Sequence, residues 1–157
     1  MDIREQIAGI VEQLAYVPLP DDPNQATRTP TFVYGRKSEI NITADNAAFP
    51  VVALIEPDQM GFNVSQTTGA VRDTYRLFIQ FVDIVNPMGE QANYRHPTVE
   101  AMRSLAAQFL QVLSQSDIFL NLPVNINGML VVEAYDANVA GIEINLPDIT
   151  DIYPRPC

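Results

Sequence analysis

The sequence holds one cysteine, one histidine, one lysine (Lys37) and no tryptophan among its 157 residues. A lone thiol excludes a disulfide framework, and a lone imidazole excludes a Cys/His zinc site and most histidine-based catalysis. The seven glycines are scattered, and neither a GxGxxG nor a GxxxxGK phosphate loop occurs. No apolar run approaches the roughly 18 residues that a membrane span needs, so no membrane partner is expected. The opening MDIREQIAGIVEQL carries acids on a helical period, where a signal peptide would have a basic head and an apolar block. Nine basic residues against nineteen acidic ones leave a net charge of −10, which argues against nucleic-acid binding through phosphates. Against these absences stand 47% hydrophobic and 18% charged residues, the balance of a folded chain and not of a disordered tail or coiled coil. A single domain over 1–157 is expected, burying roughly 70% of its unfolded surface.

Ile3, Ile7, Ile10, Val11 and Leu14 recur on one helical face, which predicts an amphipathic helix over 2–15 with Asp2 and Glu5 in its first turn. The following VPLPDDPNQATRTP, residues 17–30, has four prolines in fourteen positions and reads as a connection. Strand character then begins at Thr31-Phe32-Val33-Tyr34 and ends at Gly35; Arg36-Lys37-Ser38 reads as a turn and 39–43 alternates weakly. Residues 49–55, FPVVALI, predict a buried strand. In 73–83, DTYRLFIQFVD, Tyr75, Leu77, Ile79 and Phe81 share one face, while Phe78 and Val82 make the other partly apolar. That second face fits a strand covered by a neighbouring subunit or a second layer.

Between those strands, MGFNVSQTTGAVR (60–72) exceeds a hairpin turn and reads as an extended arm or a mobile loop. A second long connection, 86–96, leads to Pro97, which opens a helix expected to reach about Ser116 along the stripe Val99, Met102, Leu105, Ala106, Phe109, Val112 and Leu113. Residues 129–135 and 139–146 predict a hairpin turned by Asp136-Ala137-Asn138, and 147–157, PDITDIYPRPC, an exposed, proline-broken tail. The order implies an α+β fold: a mainly antiparallel β-sheet, one long helix packed across it and an N-terminal amphipathic helix.

Chemistry is sparse. His96 with Ser104 or Cys157 could serve a hydrolase, yet His96 directly precedes a helix-opening proline, where a structural role is commoner. Asp73 and Asp83 lie about 33 Å apart at strand rise and cannot share a proton or a metal. Asp148 with Asp151, and Asp21-Asp22, lack the ligand spacing of calcium loops. Asn41-Ile42-Thr43 and Asn63-Val64-Ser65 match the glycosylation pattern by chance spacing alone. No enzyme activity, catalytic residue, metal or cofactor is expected.

What remains is surplus surface: a partly apolar second face and long loops carrying apolar side chains. Met60 and Phe62 are candidates for insertion into a neighbour. Arg72, Arg76 and Arg95 cluster around one strand and its following loop, which makes them candidates for docking or inter-subunit ion pairs; ordinary solvated arginines are the plain alternative. The acidity fits a surface that repels DNA phosphates, and equally a merely soluble protein.

The order IREQIAGIVEQL, FPVVALIEP, DTYRLFIQFVD, HPTVEAMRSLAAQFLQVL, MLVVEAYDANVAGIEINLP resembles that of the tail-terminator, or tail-completion, proteins of long-tailed bacteriophages. The resemblance covers most of the chain and is one of size and element order; the longer 17–30 segment and the tail after Leu146 depart from it. It implies a non-enzymatic, homo-hexameric ring in the virion at the head–tail junction, assembled in the host cytoplasm. Such a ring stops tail-tube growth, contacts the tube protein and neck or connector proteins, and lets DNA pass without specific binding, with 57–72 at a subunit or tube contact. A head-completion or neck-ring protein, with a dodecameric ring, is the near alternative; a small-ligand-binding or hydrolytic α+β domain is the distant one.

Overall fold

In a computed structural model of the chain, the residues described are 2–16, 27–36, 49–84, 95–132 and 139–156. The expected turns at 36–38 and 136–138, the alternation at 39–43, Asp21-Asp22, most of the 17–30 and 86–96 connections and Cys157 lie wholly or partly outside them.

Helix α1 (Ile3–Val11) starts where the Asp2 carboxylate accepts the Arg4 N–H at 3.1 Å, satisfying one of the orphan donors of a first turn. It buries Ile3, Ile7, Ile10 and Val11. It ends earlier than the 2–15 expected, because Leu14 N–H bonds back to Val11 in a tighter turn. Leu14 and Tyr16 remain buried beyond the helix, so the apolar period outruns the helix itself. Tyr16 and Arg28 exchange both backbone hydrogen bonds, pinning together the two ends of the proline-rich connection. The Tyr16 hydroxyl donates to the buried Asp83 carboxylate at 2.9 Å.

The strands are β1 (Thr31–Gly35), β2 (Val51–Ile55), β3 (Met60–Val64), β4 (Val71–Ile84), β5 (Asn127–Val132) and β6 (Val139–Thr150); α2 (Pro97–Gln115) lies between β4 and β5. They form one sheet in the order β1-β2-β4-β6-β5, with β3 also paired to β4. Among the described strands every pairing is antiparallel except β1 with β2. The α+β reading is therefore the architecture found. Register brings Leu54 opposite Ile79, Ile79 opposite Ile144 and Leu77 opposite Leu146 on the face that both helices cover. Phe109 of α2 meets Phe81 edge to face, with ring centroids 5.5 Å apart. On the other face Val51, Ala53, Val82, Val131 and Val139 form a second buried cluster, so the apolar second face is packed at this end of β4.

Two expectations need correction. Of the two readings of 60–72, the extended arm is the one found and the mobile loop is not: Met60–Val64 is a strand, residues 65–70 turn, and β4 already begins at Val71. The tail after Leu146 is not free either, because β6 runs on to Thr150 and buries Ile149 and Thr150. Pro147, which cannot donate to a ladder, is accommodated in a bulge where Pro147 and Asp148 together face Arg76. Asp148 takes φ 54°, a left-handed conformation that aspartate tolerates, and Asn121 bridges the irregularity through Asp148 O and Thr150 N–H. The Pro-Asp pair disguised a strand as a tail.

Gly141 lies in β6 directly over β4, where a Cβ would run into the Phe81 carbonyl of the central ladder. Gly141→Ala is expected to lower the unfolding free energy by about 3 kcal/mol, read from urea denaturation, because the obstacle is backbone that cannot rotate away. An unchanged midpoint would contradict the close approach.

Candidate assembly surface

β4 is longer than its partners, and the excess builds an arm. β2 pairs with Phe78–Val82; below that level β3 takes its place along the same edge, with Met60 opposite Tyr75, Phe62 opposite Asp73 and Val64 opposite Val71. Four residues, 56–59, cross the gap opposite Arg76 and Leu77, and Arg76 N–H bonds to Gln59 O. The tip is closed by Ser65 N–H to Ala70 O and Gly69 N–H to Ser65 O, with Gly69 at φ 72°. On the opposite edge of β4 the C-terminal segment continues β6: Asp151 N–H bonds to Asp73 O and Arg155 N–H to Val71 O. The Arg155 guanidinium closes the arrangement, 2.7 Å from the Asp73 carboxylate and 5.6 Å from the centre of the Phe62 ring.

This arm displays Met60, Phe62 and Val64, which are 73%, 67% and 59% exposed. Their register partners, Tyr75, Asp73 and Val71, place the row on the helix-covered side of the sheet, at an exposed end of it. At the far edge of the sheet β5 displays Met129 and Leu130, 65% and 46% exposed. Beside β5, on that same side, a groove of about 400 Å³ runs between the flank of α2 and the sheet, lined by Val99, Ala106, Leu110, Ile126, Leu130, Ile142 and others, with Arg103 as the one charged group among the described lining residues. The molecule thus carries an apolar projection and an apolar recess at different edges of one sheet.

The predicted contact residues divide in two. Met60 and Phe62 stand exposed on the arm. Arg72 and Arg76 are engaged within the chain: Arg72 Nε donates to Ile152 O at 3.2 Å, and the Arg76 guanidinium lies 5.0 Å over the Phe78 ring. Arg95 is exposed just ahead of α2. Sequence reasoning missed Val64, Met129, Leu130 and the Arg155 clamp. The alternation of Met60, Phe62 and Val64 with Gly61 and Asn63 was the available signal for the first of these. His96 caps α2, its Nδ1 accepting the Thr98 N–H at 3.2 Å, and Ser104 lies eight residues on, about 12 Å along the helix axis. Asp73 is held by Arg155, Asp83 by Tyr16, and Asp151 accepts the Tyr153 N–H, so the carboxylates weighed as pairs serve separate structural contacts. Among the described residues no group of three His, Cys, Asp or Glu is placed to hold a metal, and no helix is long and apolar enough to cross a membrane.

Burial, with Asp73 and Asp151 close by, pushes the Tyr75 phenol above its ordinary value of 10.0. Burial with Glu56 and Asp2 nearby does the same for Tyr34. A phenol that holds its proton more tightly when folded adds stability that is complete below the unfolded value and is lost as pH rises through the folded one. Thermal melts are therefore expected to show stability falling above about pH 10, and Tyr75→Phe to reduce that fall. An identical alkaline loss in the variant would contradict the placement of Tyr75 at the root of the arm.

No family model matches this chain, and no curated protein matches its sequence.

Proposed function

We propose that this chain is a structural virion protein that forms a homo-oligomeric ring, a hexamer by preference, at the head–tail junction, where it ends the tail tube and offers the docking surface for the head or neck. The observation that carries the reading is the pairing of an exposed apolar arm on β3 with an apolar recess beside β5. Two unlike patches on one chain favour heterologous contacts, which close into a ring when the rotation per subunit divides a full turn. The element order supports the placement at the junction, since helix, strands with an arm, long helix and closing strands follow the plan of tail terminators. The net charge of −10 supports a passage along which DNA phosphates are repelled and slide. The recess suits an apolar insert better than a metabolite, which needs several polar groups to orient it, and Arg103 is the one charged side chain among the described residues there. No cofactor or catalytic step enters this role.

Light scattering of the purified protein is expected to give about six times the 17.4 kDa chain mass, with six-fold rings in negative-stain images. A twelve-fold ring would transfer the assignment to a neck or connector protein. A monomer that binds a small metabolite would overturn the virion reading.

A further inference from the structure

We propose that the arm of one copy adds to the β5 edge of the next, so that β3 extends the neighbour's sheet and Met60, Phe62 and Val64 fill the recess under its α2. The choice of a second copy as occupant rests on the ring reading; the fit itself rests on four observations.

The first is the bareness of the two edges. None of the 28 charged residues falls in β3 (MGFNV) or β5 (NGMLVV), and neither strand has a proline. Edge strands that must stay unpaired are ordinarily guarded by charge or proline. β1, the third outer strand, is also uncharged, but its residues are half-buried, α1 packs on it and the Arg4 guanidinium covers Tyr34.

The second is strand direction. β4 and β5 both run antiparallel to β6, and β3 runs antiparallel to β4. A copy laid alongside with its helices on the same side therefore brings β3 antiparallel to β5, the pairing that predominates within the sheet.

The third is face parity. Gly128 and Leu130 stand opposite Ile144 and Ile142, on the helix side, and the apolar row of β3 is on the helix side too. Strand addition with aligned faces thus turns the row into the recess; slipping by one residue would turn it out.

The fourth is space. Gly128 is an exposed position with no side chain in the lining of the groove of about 400 Å³, and a Cβ there would only touch Glu143 O at 3.7 Å and Ile142 Cδ1 at 3.8 Å, so the recess has room where a side chain from an added strand would lie. The arm projects past the level at which β1 and β2 pair, which leaves its outer edge accessible to a neighbour.

The test uses Phe62→Asp, which spoils the arm, and Leu130→Glu, which spoils the recess, with circular dichroism confirming that each folds. Each variant alone is expected to be monomeric. Mixed in equal amounts they are expected to form a species of twice the 17.4 kDa chain mass and nothing larger, because one intact arm meets one intact recess and both remaining surfaces are spoiled. Variants that still assemble like the wild type, or a mixture that stays monomeric, overturn the seam while leaving the ring reading in place. A monomeric wild type overturns both. Should Leu130→Glu fail to fold, Gly128→Glu, exposed on the same strand, takes its place.

Discussion

A β-strand presents its two faces alternately along its whole length, and β4 carries that alternation over fourteen residues, about 46 Å at strand rise. Its upper half, from Leu77, turns Leu77, Ile79 and Phe81 toward the helices and buries them completely. Its lower half turns Tyr75, Asp73 and Val71 to the same side, where Tyr75 packs against the rim of the core near Asp2, the cap of α1, and the row of β3 opposite them stays exposed. The nineteen residues of α2 span about 28 Å. Because the helical layer is shorter than the strand it packs on, the sheet has to end in an arm, and every surface assigned to assembly follows from that mismatch. β3 supplies the hydrogen bonds that β2 no longer reaches, and the C-terminal segment does the same on the other edge. Arg155, bonded to Asp73 and set over Phe62, ties both additions to one strand.

The energetics of such an arm favour closure over pairs. A fully buried Met, Phe or Val side chain contributes about 1.5–3 kcal/mol, whereas bringing two molecules together costs about 4–15 kcal/mol in lost freedom. Three side chains at one contact leave little surplus. A closed ring of six makes six such contacts for five losses of freedom, one contact more than an open chain of six, so closure holds the assembly more tightly than the pair formed by one intact arm and one intact recess. The acidic surface opposes every contact equally and is screened by salt.

Much of this was legible in the residues. Both helices, the buried strand after Pro50 and the alternating strand around Phe78 follow from apolar period, and the two-faced character of the latter was visible in Phe78 and Val82. The parts that escaped share a cause: residues that punctuate structure in a sequence also occur inside strands. Gly61 and Asn63 disguised β3, although Met60, Phe62 and Val64 keep strand period. Pro147 and Asp148 disguised the end of β6, although Ile149 belongs to the core. A bulge converts a strand-breaking pair into a bend, and no local pattern distinguishes the two. Arg72 and Arg76 stood out for scarcity, but scarce arginines were also wanted inside the chain, on a C-terminal carbonyl and an aromatic ring. The recess beside β5 had no sequence signal, because it depends on where α2 stops covering the sheet.

The central claim is that the row on β3 is an assembly contact and not a decorative edge. Electron cryomicroscopy of the purified protein at a resolution that separates strands measures this most directly. The expected map is a closed ring of identical subunits in which Met60, Phe62 and Val64 are enclosed between β5 and α2 of the next copy. A ring with β3 open to solvent at every subunit would contradict the account.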